Sequence, residues 1–88
     1  MLIRSQNKEF LVTLELLLDI EVSGGVISAR KDYGWCCLLG EYSIKEKAMK
    51  VLDMIQEAYC KFMSVKNDDA WSGKESVFYM PEDSEVEI

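Results

Sequence analysis

Hydrophobic and polar residues follow two different rhythms along this chain. Across residues 43–63, counting from Ala48, apolar side chains recur at Val51, Leu52, Ile55, Tyr59 and Phe62. That three-to-four spacing lines one face of an α-helix. Lys50, Asp53, Glu57 and Lys61 fall on the other side, and Met49 and Met54 sit at the shoulders of the stripe. Ser43 stands where an N-cap hydroxyl accepts a first-turn amide, and Glu46 can reach back to the Ser43 amide, which together make a capping box. Glu46–Lys50 and Glu57–Lys61 are acid-first pairs four residues apart, each worth roughly 0.2–0.5 kcal/mol. The stretch predicts one long helix with Leu52 and Ile55 at the centre of its buried stripe.

Upstream the rhythm is that of strands. Residues 1–4 read as a first short strand, and Ser5-Gln6-Asn7-Lys8 as a polar turn. Residues 10–14 alternate weakly. Residues 16–22 alternate clearly, with Leu18, Ile20 and Val22 on one face and Asp19, Glu21 and Ser23 on the other. Residues 14–18 also fit a helix, but the β-branched residues that follow favour a strand. Gly24-Gly25 between apolar runs signals a two-residue hairpin, whose tight turn needs positive φ. Residues 26–31 form the return strand, Asp32-Tyr33-Gly34 the next turn, and residues 35–39 another strand that leads through Gly40-Glu41-Tyr42 into the helix. Residues 66–75 read as a loop around Trp71, and residues 77–80 as a last strand stopped by Pro81, which has no amide to donate. The acidic residues 83–87 read as a loosely held tail. The expected fold is α+β: an antiparallel sheet of about five strands with one long helix packed on one face, in a single domain spanning residues 1–88.

Composition narrows the function. A chain of 88 residues, 49% hydrophobic, can fill one small core. Domains of this size are marginal alone, so a homo-oligomer is expected. The net charge of −6 argues against direct nucleic-acid binding and against an anionic membrane surface, and it suits a basic partner. The longest leucine run, Leu16-Leu17-Leu18, is far too short to span a bilayer. Met1 leads directly into Leu2-Ile3-Arg4 without the basic start and apolar core of a secretory leader. The chain has no histidine, which removes the commonest general base and the usual zinc ligand. Its three cysteines include an adjacent pair, Cys36 and Cys37, whose side chains leave a strand on opposite faces. That is a poor disulfide framework, so three reduced thiols in a cytoplasmic setting are expected.

No spacing of residues points to catalysis, a metal or a cofactor, and the chain is read as a non-enzyme. Cys60 lies off the helical stripe with only Lys61 to activate it, and it reads as a small filler. Asp68-Asp69 reads as a turn. The tail acids Glu82, Asp83, Glu85 and Glu87 lack the alternate ligand positions of a calcium loop. Gly24-Gly25 lacks the lysine of a phosphate loop and the third glycine of a dinucleotide fingerprint. The aromatic residues are the stronger candidates. Tyr33 and Trp35 flank Gly34 at a hairpin tip beside Arg30 and Lys31, and Trp71 stands near Lys74 in the polar loop. Rings beside cations can stack a base while holding a phosphate, and they also anchor protein–protein contacts. Arg30, Lys31, Tyr33, Trp35, Trp71 and Lys74 are therefore the candidate ligand-binding residues.

Three segments carry a resemblance: MLIRSQNK at the start, LGEYSIKEKAMKVLDMIQEAY through the helix, and VFYMPEDSEVEI at the end. Together, over roughly half the chain, they resemble a family of small proteins carried by phages and prophages of Gram-positive bacteria. The central hairpins and the Trp71 loop are outside the match, and the family supplies no catalytic residues. The resemblance implies a cytoplasmic protein of the bacterial host that counters host defence without catalysis. Two forms of that role follow. One is a homo-oligomeric sponge sequestering a nucleotide second messenger between subunits, which the Arg30-Lys31-Tyr33-Trp35 cluster favours and the scarcity of positive charge opposes. The other is a protein–protein inhibitor of a host defence nuclease, which the acidic tail favours. A structural or regulatory phage protein is the third.

Overall fold

The alternating segments build two small sheets rather than one. The computed structural model describes residues 1–32, 35–65 and 77–87, with the backbone alone at Asp32, Trp35 and Val65. In the first sheet β1 (Leu2–Arg4) lies between β2 (Leu11–Thr13) and β6 (Val77–Tyr79). The second is a meander of β3 (Asp19–Ser23), β4 (Val26–Asp32) and β5 (Trp35–Glu41). One helix among the described residues, α1 (Lys45–Val65), packs on β3 and β4. The chain is α+β, but its described strands number six, and one pairing is not antiparallel. β6 runs parallel to β1, with Leu2 opposite Val77 and Arg4 opposite Tyr79. A parallel return needs a long crossover, and here β2, the meander and the helix all lie between the two strands in sequence. Alternation within short segments cannot reveal which strand a distant segment will join.

Within the meander the two-residue period holds between two register shifts of β4 against β5, at Ile27/Ser28 and at Arg30/Asp32. Ile27 and Ala29 on β4, and Cys37 and Leu39 on β5, are buried, while Arg30, Cys36 and Leu38 between them are exposed. Cys36 and Cys37 thus point to opposite faces as expected, and all three thiols are free. The Gly24-Gly25 turn joins β3 to β4 with Ser23 opposite Val26. Only Gly24 takes positive φ, at 59°. Gly25 is needed for a different reason: a Cβ there would lie 2.1 Å from the Tyr42 carbonyl oxygen.

The two sheets are stitched by Gln6. Its amide donates to the Leu39 carbonyl at 2.8 Å. Its side-chain amide accepts from the Glu41 N–H at 3.0 Å and donates to the Glu41 carbonyl at 3.1 Å, as a neighbouring strand would. The core cluster draws on every layer: Ile3 from the first sheet, Ile27, Ala29 and Leu39 from the second, Ala48, Val51 and Ile55 from α1, and Met80 and Val86 from the chain beyond β6. The helical stripe thus faces the core through Ala48, Val51 and Ile55, whereas Leu52, expected beside Ile55 at its buried centre, borders an open groove instead. Leu52, Tyr59 and Phe62 lie at its edge, half-buried.

The tail corrects an expectation. Residues beyond Pro81 are not loose but strap the start of α1. Asp83–Glu85 form a 3₁₀ turn closed by a Glu82/Glu85 capping box, and Val86 is buried. The Ser43 amide donates to Asp83 Oδ1 at 2.8 Å, so Glu46 does not take that amide and the Ser43 capping box does not form. Lys47 Nζ donates to the Asp83 carbonyl at 3.0 Å, and Lys50 Nζ donates to the Glu87 carbonyl. A carboxylate at a helix N-terminus is favourably placed against the helix dipole. The Ser43 amide bond, above all, holds the Asp83 carboxyl below its ordinary value. Tyr42 closes the strap by donating its hydroxyl to the Pro81 carbonyl at 2.8 Å. Burial, with the charges of Glu82, Asp83 and Glu85 added, pushes the Tyr42 phenol up to about 12.

Candidate functional site

The leucine run between the sheets builds an exposed apolar surface. Leu14–Leu16 form a 3₁₀ turn closed by the Leu17 amide on the Leu14 carbonyl at 3.1 Å. The Leu14 amide reaches back to the Met1 carbonyl at 2.9 Å, and the Leu18 amide donates to the Arg30 carbonyl at 2.7 Å. The run is thus a corner between sheets, pinned at both ends. A strand would set Leu14, Leu16 and Leu18 on one face. A 3₁₀ turn repeats every three residues, so Leu14 and Leu17 share the half-buried side instead. Leu16 is left 64% exposed, and Leu18, expected to face inward with Ile20 and Val22, is 60% exposed. Leu11 on β2 is 53% exposed.

A depression lies on either side of this corner. On one side, Leu11, Val12, Leu16, Leu17 and Lys31 border a cleft of about 230 Å³ against the outer edge of β2. On the other, Leu14 and Ile20 face Leu52, Ile55 and Tyr59 of α1 across an open, chiefly apolar groove of about 400 Å³. The Tyr59 ring stacks on Phe62 with centroids 6.0 Å apart. The groove continues at Gln56 and Cys60 onto a shelf that carries Asp53 and Glu57.

The residues expected to hold a ligand are not gathered here. Arg30 faces out from β4 and its guanidinium donates to Asp19 on the neighbouring strand. Lys31, the next residue, borders the β2 cleft instead. Both cations are exposed, and Lys31 lies where the β4–β5 register shifts between Arg30 and Asp32. Trp35 heads β5 opposite Asp32, with its side chain outside the described residues. Tyr33, Trp71 and Lys74 lie outside them altogether. Sequence reasoning missed Leu11, Leu16, Leu18 and the groove. The available signal was the leucine run itself, because three consecutive leucines cannot all face inward in a strand or on a helical stripe.

Among the described residues no group of three Cys, Asp or Glu side chains could hold a metal ion. Cys37 is buried, and that burial raises its thiol above the ordinary value, the opposite of what a nucleophile needs. No helix among the described residues is long and apolar enough to cross a membrane. The chain matches no family model, no curated protein and no solved structure.

Proposed function

We propose that the protein is a non-enzymatic binding protein that acts by covering part of another protein, and that its contact surface is the leucine corner. The observation that carries this reading is the exposure of Leu11, Leu16 and Leu18, each more than half open to solvent, around one corner. Singly exposed leucines are ordinary, whereas contiguous ones mark interaction sites. In the phage setting that the sequence resemblance implies, the partner is a host defence protein and the chain its inhibitor. The nucleotide-sponge reading draws less support. Its arginine is already engaged by Asp19, and Lys31 borders the cleft beside β2.

The test is suppression of defence in host cells expressing the protein during phage challenge. Leu16→Asp should abolish suppression while circular dichroism stays unchanged, because Leu16 fills no core position. Arg30→Ala should leave suppression intact. The reverse pattern, with Arg30→Ala inactive and Leu16→Asp active, would overturn the protein-contact reading in favour of ligand capture.

A further inference from the structure

We infer that the groove between α1 and the Leu14 corner receives a basic amphipathic helix of the partner protein, an inference that rests on the protein-binding reading above. The groove follows α1 from Leu52 to Tyr59. That is two helical turns, or about 10 Å at 1.5 Å per residue. A groove of that length takes the i, i+3/i+4, i+7 anchors of an incoming helix.

The α1 wall favours a helix over an extended strand. The backbone of α1 is hydrogen-bonded within itself, so that wall offers side chains and no amides. An incoming segment must therefore satisfy its own backbone groups, as a helix does. At Leu14 on the opposite wall the carbonyl is likewise taken, by the Leu17 amide.

Charge selects the kind of helix. Asp53 and Glu57 stand exposed on the shelf that shares Gln56 and Cys60 with the groove. Around the opposite lip the acids are already occupied: Glu15 pairs with the Met1 ammonium at 2.6 Å, and Asp19 pairs with Arg30. An occupant with an apolar stripe and lysines or arginines along its α1-facing flank would thus meet unneutralised carboxylates. The chain's net charge of −6 would add long-range attraction to its approach.

Three synthetic probes test this against the full chain by isotope-edited NMR titration. They are a leucine–lysine amphipathic helix, the same peptide with glutamate for lysine, and a leucine–lysine peptide scrambled to remove its stripe. The first should bind saturably and shift the amides of Leu14, Ile20 and residues 52–60. The glutamate peptide should not bind, and the scrambled one should bind at least about tenfold more weakly. Combining Asp53→Asn with Glu57→Gln, both surface changes, should weaken the first peptide about fivefold and flatten its salt dependence. Equal binding of the striped and scrambled peptides, binding of the glutamate peptide, or shifts that map away from the groove would overturn the inference. Failure here alongside loss of defence suppression in Leu16→Asp would leave the protein-binding reading standing and remove only the helix from this groove.

Discussion

Replacing Gly25 with alanine should destabilise the protein far more than replacing Gly24, although the two share one turn. At Gly24 the backbone has φ 59° and an added Cβ meets nothing within 4 Å. The cost there is left-handed strain of about 1–2 kcal/mol, offset by about 0.4–1 kcal/mol because alanine reduces the freedom of the unfolded chain. The net loss should be about 1 kcal/mol or less. At Gly25 the new methyl would sit 2.1 Å from the Tyr42 oxygen and 3.1 Å from its carbonyl carbon. No rotamer relieves an overlap with backbone. The Tyr42 amide, which donates to the Gly25 carbonyl at 2.7 Å, must move with it, and that hydrogen bond is worth about 1 kcal/mol. Displacing packed neighbours adds about 1–3 kcal/mol. After the same unfolded-state offset the net loss is about 2–3 kcal/mol, a large share of a small domain's stability. Urea unfolding followed by circular dichroism measures both variants. With a slope of about 1–1.5 kcal/mol per molar for a chain of this size, Gly25→Ala should lower the midpoint by about 2 M and Gly24→Ala by less than about 1 M. An equal or larger effect at Gly24 would show that turn conformation, not the close approach of Tyr42, governs this hairpin.

Other consequences are equally direct. Ile55→Ala should cost about 2–5 kcal/mol as a core truncation, and Leu52→Ala about 1 kcal/mol because Leu52 already borders open space; equal losses in denaturant would mean that the groove is closed. The Tyr42 phenol lies at about 12 when folded, against 10.0 as the ordinary value. Stability tied to its neutral form is complete below pH 10 and drains away as pH rises towards 12, and Tyr42→Phe should remove the latest phenolate absorbance step. Asp83 titrates below the ordinary carboxylate value, so its contribution is present above that value and is lost as pH falls through the lowered one. Asp83→Asn should therefore flatten the acid limb of a stability–pH curve. Thiol labelling of the native protein should modify exposed Cys36 and Cys60 quickly and buried Cys37 only on unfolding.

Local structure was legible where one element carried its own period. The α1 stripe, the Gly24-Gly25 hairpin and the opposed faces of Cys36 and Cys37 all depend on residues within a turn or a strand of one another. The failures arise where distant segments meet. Asp83 takes the Ser43 amide from 40 residues away, and no local pattern announces that competitor to Glu46. The parallel seat of β6 depends on β1, and the split into two sheets depends on the corner at Leu14–Leu16. The site followed the same rule. Arg30 is engaged by Asp19 of the neighbouring strand, a partner that its own strand does not announce. The exposed leucines looked like core because strand alternation carried Leu18 inward on paper.

Native mass spectrometry of the protein purified from defence-active host cells tests the central claim most directly, because it reports subunit number, bound macromolecule and retained small molecule together. A complex of this chain with a host protein, present for the parent and absent for Leu16→Asp, is the predicted result. A homo-oligomer that retains a nucleotide, unchanged by Leu16→Asp and emptied by Arg30→Ala, would contradict it.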